Sequence, residues 1–311
     1  MKILVVRNDK LGDFVLSLPC FSLLKQTLPN THLTALVPEY TKPIADKFPD
    51  IDEVITDDNS IFSLTKKIKK QNFDAVIVLF STTRIAIVTL LAGINKRIAP
   101  KTKIAQFLYH KPLLQKRSLS LKPEYQYNLE LVEYFLGSDN IQLTPPFWQL
   151  EKTIKVADNT IIIHPGCGGS ANNLNIEQYA KIANKLSAEK PELFFAITAG
   201  REEEKYALDL LEKIKTNNKK LVKNLNLMEL VEYINSCDIF IGGSTGPLHI
   251  AGILNKKTVA FYPNLRSSTA LRWQTLNQEN KRLSFSPIKS EQDMSLVDIN
   301  LVVKETIKKF L

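Results

Sequence analysis

Apolar and polar positions along this chain alternate between two rhythms. Short β-branched runs bounded by polar or turn residues read as buried strands: ILVV at 3–6, LTALV at 33–37, EVIT at 53–56, AVIVLF at 75–80 and RIA at 97–99. Between them, apolar residues recur at helical spacing at about 13–28, 41–48, 61–70 and 82–92. A further amphipathic segment, Tyr127 to Leu136, stops at Gly137, a residue suited to a helix C-terminus. The stretch from Ser138 to Asn159 is polar, carries Pro145-Pro146 and reads as a linker. The alternation then restarts, with strands at 160–164, 194–198, 221–222, 238–242 and 258–262 and helices at about 176–189, 202–215, 227–235 and 247–254. An irregular stretch from Pro263 precedes a final helix at about 295–310. Strand–helix alternation of this kind predicts α/β architecture with parallel sheets. The expected domains span 1–145 and 158–290. Ligands of such sheets sit beyond the carboxyl ends of the strands, so a cleft between the two domains is the expected site.

With 311 residues, 44% hydrophobic and 23% charged, the chain has the composition of a globular protein of two ordinary domains. No apolar run approaches the roughly 20 residues of a membrane span, and MKILVVRNDK is interrupted by charge too early for a secretory signal. Cys20, Cys167 and Cys237 show neither metal-ligand spacing nor an even disulfide framework, which points to a reducing cytoplasm. The net charge of +9 is unevenly placed. From Ala75 to Pro123 there is no acidic residue, whereas Arg84, Lys96, Arg97, Lys101, Lys103, Lys111, Lys116, Arg117 and Lys122 all fall there, with Phe107, Leu108, Tyr109, Leu113 and Leu114 among them. Such a segment suits a solvated face, a membrane surface or a phosphorylated amphiphile. Its few aromatics disfavour single-stranded nucleic acid.

Candidate chemistry lies in the turns after strands. RNDKLGD, after the first strand, lacks both the dinucleotide glycine fingerprint and a phosphate-loop lysine. Its Asp13, directly after Gly12, is either a helix-start residue or a carboxylate base. The helix N-terminus is expected to lower its pKa. HPGCGGSANN places Gly166, Gly168 and Gly169 after a strand, where backbone can approach a phosphate or simply turn. ITAGREEE supplies acids at a helix start, which answer the helix dipole or accept ribose hydroxyls. In GGSTGPLHIAG, Pro247 suits the first helical position after Thr245 or Gly246, and the N–H groups there can hold an anion within reach of His249.

In this order the turns resemble glycosyltransferase family 9, the heptosyltransferases of lipopolysaccharide core assembly. The resemblance runs through KILVVRNDKLGDFVLSLP, FDAVIVLFSTTRIAIVTLLAGINKRIA, IIIHPGCGGSANNLNIEQYAKIANKL, ITAGREEE and DIFIGGSTGPLHIAGILNKKTVAFY. It implies a GT-B fold, two Rossmann-like domains facing across a cleft, with acceptor on the first and sugar nucleotide on the second. The last helix would pack back on the first domain. It implies inverting transfer of a heptose from ADP-heptose, or a related sugar nucleotide, to the Kdo/heptose inner core, with no metal or other cofactor. Asp13 would be the base. Gly166, Gly168, Gly169, Ser170, Arg201, Glu203, Ser244, Thr245, Gly246, Pro247 and His249 would hold the donor. Gly12, Arg97, Lys101, Lys103, Lys111 and Arg117 would meet a lipid A–Kdo acceptor at the cytoplasmic face of a Gram-negative inner membrane. Two positions depart from the family. Asn172-Asn173 stand where many members have Lys or Arg, and Ser244 stands where many have Asp or Asn-Asp before the Thr-Gly. An epimerase or hydrolase of the same fold would need more carboxylates or histidines than the four His offer, and a nucleic-acid module would use the basic segment alone.

Overall fold

The computed structural model describes residues 1–311 except 103, 139–142, 152–153, 167–171 and 201. Contacts divide the chain into two compact units, 1–117 with 122–144, and 118–121 with 145–311.

In the first unit the elements are β1 (Lys2–Val6), α1 (Leu11–Val15), α2 (Leu18–Thr27), β2 (His32–Val37), α3 (Lys42–Lys47), β3 (Glu53–Thr56), α4 (Ile61–Gln71), β4 (Ala75–Val78), α5 (Thr83–Leu91), β5 (Lys96–Pro100), β6 (Lys111–Leu113) and α6 (Glu124–Leu136). Every strand pairing is parallel, in the order β3-β2-β1-β4-β5-β6. Leu4, Val6, Val76 and Val78 are fully buried between helices, as apolar strands covered on both faces must be. Caps set the helix limits. The Ser60 and Thr82 hydroxyls accept from Ser63 N–H and Ile85 N–H, and Gly137 closes α6 in the left-handed region at φ 70°. The single helix expected over 13–28 is two, because the chain breaks at Leu16-Ser17 ahead of Pro19.

The second unit contains β7 (Thr160–His164), α7 (Ile176–Glu189), β8 (Phe194–Thr198), α8 (Glu204–Lys213), β9 (Lys219–Val222), α9 (Leu227–Ser236), β10 (Ile239–Gly243), α10 (Gly246–Ile253), β11 (Lys257–Phe261), β12 (Arg282–Phe285) and α11 (Ile299–Phe310). Its sheet, β12-β11-β10-β7-β8-β9, is also parallel throughout. Renumbered within the unit, that order repeats the first sheet. Both are the doubly wound arrangement whose strand order reverses beside the first strand, at β1/β4 and at β7/β10. Asn175 with Gln178 and Asn226 with Glu229 form capping boxes on α7 and α9.

Val302, Val303 and Phe310 of α11 lie in the core of the second unit with Ile161, Leu186 and Val259. The strands β6 and β12 escape the pattern reading because each is short, only half-buried and polar in part.

Candidate active site

In the first unit, the chain leaving β1 at the strand-order reversal carries Arg7, Asn8 and Asp9, and α1 brings Asp13 back beside them. Asp13 is not the helix cap, a place taken by Lys10. Its carboxylate accepts a hydrogen bond from Arg7 Nη2. Arg7 is 2% exposed and also donates to both Asp9 oxygens, at 2.8 and 2.9 Å. From α6, Glu124 Oε1 and Asn128 Oδ1 accept from Arg7 Nη1 at 3.0 and 3.1 Å. The Tyr40 hydroxyl donates to the Asp9 carbonyl at 2.6 Å, and the Phe80 ring lies 5.8 Å from the guanidinium.

The expectation that Asp13 is unusually acidic is overturned. Burial pushes its pKa up to about 6, against the pull of Arg7, and Asp9 and Glu124 push the same way. Arg7 is held ionised although burial opposes its charge, because three carboxylates share it. Asp9 takes two of its N–H groups and Asp13 one, so Asp13 receives the smaller part of that charge.

At the end of β3, Asp57 accepts from Asn8 Nδ2 at 2.5 Å and from both Arg84 Nη atoms at the start of α5. Gly12 lies in the first turn of α1. The basic residues predicted to meet an acceptor divide in two. Arg97 donates to Leu108 O at 3.0 Å and Ile94 O at 2.5 Å, tying down its own loop. Arg117 donates to Glu124 at 2.7 Å and to Gln115 Oε1 at 2.9 and 2.8 Å. Lys101 and Lys111 are exposed, beside Ile104 (75% exposed), Phe107 (82%) and Leu114 (66%), whereas Lys103 lies outside the described residues.

In the second unit, the ends of β7 and β10 come together with Gly242 in register beside His164. His164 is buried; its Nδ1 is 3.0 Å from Thr198 Oγ1 and its Nε2 is 3.6 Å from Glu203 Oε2. Burial lowers the His164 pKa and Glu203 opposes it. The Glu203 carboxylate lies over Gly166, where a Cβ would overlap it, and accepts from Gly200 N–H at 3.4 Å. Gly168, Gly169, Ser170 and Arg201 lie outside the described residues, as does Cys167.

After β10 the chain turns through Ser244 and Thr245, and α10 starts at Gly246-Pro247 with no side chain capping it. Among the described residues no side-chain cap is bonded to its first N–H groups, the arrangement an anion site uses. The buried Thr245 Oγ1 and His249 Nδ1 have no hydrogen-bond partner among the described residues. Burial alone lowers the His249 pKa to about 4, so the ring is neutral at physiological pH. Asn173, in the position expected to bear a cation, is a structural tie: Nδ2 donates to Pro165 O at 2.9 Å, and Oδ1 accepts from Leu174 N–H at 2.9 Å and Tyr179 O–H at 2.7 Å. No three His, Cys, Asp or Glu side chains gather as a metal site among the described residues.

Sequence reasoning missed Arg7, Glu124, Asn128, Asp57 and His164. One signal was available, since Glu124 is the first acid after the acid-free stretch ending at Pro123.

Comparison with known proteins gives a consistent result. The family model for glycosyltransferase family 9 (heptosyltransferase) matches residues 61–299. A Haemophilus influenzae protein with only the general designation of glycosyltransferase is 38% identical, over 98% of this chain and 95% of its own. Lipooligosaccharide heptosyltransferase 2 of Campylobacter jejuni is 24% identical over 99% of both chains. The solved structure of Escherichia coli ADP-heptose lipopolysaccharide heptosyltransferase II shares the fold, with a TM-score of 0.81 at 20% identity, over 100% of this chain and 98% of that one.

Proposed function

This chain belongs to glycosyltransferase family 9, the heptosyltransferases, and we propose that it moves a heptose from ADP-heptose to the Kdo/heptose inner core of lipopolysaccharide, with inversion and without a metal. The observation that carries the reading is the Asp13 carboxylate, held by Arg7 beside the strand-order reversal of the first sheet. A base of pKa about 6 suits proton abstraction near neutral pH. Asp13 takes the proton of an acceptor hydroxyl as that oxygen bonds to the anomeric carbon. The bond from that carbon to the diphosphate breaks on the opposite face, and ADP carries away the electron pair.

In the second unit, the start of α10 with Thr245 and His249 receives the diphosphate. Glu203 beside Gly166 receives the ribose. Gly168, Gly169, Ser170 and Arg201 join the donor site on sequence grounds. The expected result of a thermal-shift panel is that ADP raises the melting temperature of the protein whereas UDP, GDP and CMP do not, because a ligand specific for the native state stabilises it by mass action. Transfer is then assayed with ADP-heptose and truncated lipopolysaccharides. No transfer to any of these acceptors, or selective stabilisation by a different nucleotide, overturns the assignment.

The acceptor is lipid-borne, and the exposed Lys101, Lys111 and Lys116 with Ile104, Phe107 and Leu114 suit an anionic bilayer surface. No helix among the described residues is long and apolar enough to cross a membrane. We propose that the enzyme works as a peripheral protein on the cytoplasmic face of the inner membrane, with this basic and apolar surface toward the bilayer. Each lysine near such a surface contributes about 1 kcal/mol, so reversing all three lowers partition to phosphatidylserine-containing vesicles by about 100-fold or more. Unchanged co-sedimentation of the triple variant would retire the surface assignment.

A further inference from the structure

Asp13 is one spoke of a charge cluster whose hub is Arg7. The guanidinium has five N–H donors, and all five are spent: Nε and one Nη2 hydrogen on Asp9, the other Nη2 hydrogen on Asp13, and the two Nη1 hydrogens on Glu124 and Asn128. Glu124 and Asn128 sit one helical turn apart on α6, more than 110 residues from Arg7 in sequence. Both are fixed in turn. Glu124 Oε1 also accepts from Arg117 at 2.7 Å, and Asn128 Nδ2 donates to Leu16 O at 3.4 Å, which fixes which end of the amide faces Arg7.

We propose that Arg7 is a positioning residue that aims the Asp13 carboxylate, with Glu124 and Asn128 of α6 as the seat that fixes Arg7. The functional part of this proposal rests on the reading of Asp13 as the base. A planar fork whose other donors are occupied has little freedom to turn, so the one N–H left for Asp13 defines where that carboxylate points. The seat also apportions charge. Arg7 and Arg117 face Asp9, Asp13 and Glu124, so carboxylates outnumber cations and each anion competes for Arg7. Among the described residues the Tyr40 hydroxyl and the Cys20 thiol of α2 also face the cluster, and Glu133 of α6 adds its charge on the Cys20 side. Burial pushes the hydroxyl and the thiol upward, away from the range in which Asp13 titrates.

Changing the hub and changing the seat therefore move Asp13 in opposite directions. Arg7→Met removes the attraction and leaves burial, Asp9 and Glu124, so Asp13 takes up its proton at a pH higher by about one unit or more. Glu124→Gln removes a neighbouring anion and returns Arg7 charge to the remaining partners, so Asp13 titrates at lower pH. Arg7→Lys keeps the charge and loses the fork. Its midpoint stays near the wild-type value while kcat falls about tenfold or more and donor KM changes by less than about twofold.

The test is a pH titration of the full chain labelled with 13C-carboxyl aspartate, followed by NMR, with Asp13→Asn used to assign the Asp13 signal. Kinetic pH profiles are recorded with ADP-heptose and the lipopolysaccharide acceptor. Opposite displacement of the Asp13 midpoint by Arg7→Met and Glu124→Gln, matched by the acidic limb of kcat, establishes the arrangement. If Arg7→Met does not fold, the downward shift in Glu124→Gln and the kcat loss in Arg7→Lys decide the matter. Midpoints and kcat unchanged in these two, with only a lower melting temperature, mean that Arg7 merely staples α6 to β1 and overturn the proposal. Wild-type transfer by Asp13→Asn, with the midpoint shifts intact, instead removes Asp13 as the base and leaves the charge arrangement standing.

Discussion

With Asp13 as the proposed base, Asp13→Asn is expected to lower transfer by about 10²–10⁴-fold, the usual contribution of a positioned general base, while the rise in melting temperature expected with ADP is the same as for wild type. The amide keeps the shape of the carboxyl group and an oxygen for the Arg7 N–H, but it has no basic oxygen to take the acceptor proton. Loss of stability does not explain the result. The folded-state pKa of Asp13 is raised above the ordinary 3.8 to about 6, so its favourable contribution to folding is full below pH 3.8 and is lost as pH rises through about 6. At pH 7.5 the ionised, buried Asp13 is a burden on the fold, and Arg7 retains Asp9 and Glu124 without it. The Asn variant therefore melts no lower than wild type at pH 7.5. Its margin over wild type shrinks as the pH is lowered toward 4. Wild-type turnover in this variant would remove Asp13 from the chemistry.

Gly243→Ala destabilises the second unit by about 2–4 kcal/mol, from overpacking and strained hydrogen bonds. The added Cβ would stand 2.5 Å from Asn173 Oδ1 and 2.7 Å from its Cγ. Asn173 cannot turn aside without giving up Pro165 O, Leu174 N–H and Tyr179 O–H together. The expected fall in melting temperature is roughly 5–12 °C for a unit of this size. Because Asn173 ties the end of β7 to the chain entering α7, ADP affinity falls as well. Gly166→Ala makes the informative contrast. Its Cβ would collide with the Glu203 carboxylate, which Gly200 N–H at 3.4 Å and His164 Nε2 at 3.6 Å hold at longer distances than those that anchor the Asn173 amide. That carboxylate can swing away, so Gly166→Ala melts close to wild type while its donor KM rises. Equal melting temperatures for Gly243→Ala and wild type would show that Asn173 is not the tie described.

These two glycines mark what a one-dimensional reading can and cannot reach. Gly242 and Gly243 are conspicuous as the break between IFI and STGP, and the strand, turn and helix follow from local patterning alone. That Gly243 exists to admit Asn173 is a fact about a partner 70 residues away. Asn173 reads as a missing cation in sequence and is a built-in brace in the fold. The cationic segment behaves likewise. Its charge is plain in composition, yet Arg97 and Arg117 turn inward to carbonyl and carboxylate oxygens, which leaves the exposed Lys101 and Lys111 to meet a partner.

The sequence by itself determines most strands and helices of both units, though not β6, β12 or the break between α1 and α2, together with the glycine-bearing turns after β7 and β10 and the presence of Asp13 in the first turn of α1. Each of these depends on residues within a few positions of one another, where spacing and backbone preference act directly. Only the tertiary structure decides what Asp13 is. Its place beside Arg7, the seat that α6 provides through Glu124 and Asn128, and the rise of its pKa rather than the expected fall all come from burial and from contacts between distant segments. Desolvation and shared charge depend on what surrounds a group in space, and at Asp13 they outweigh the helix dipole that local sequence had suggested.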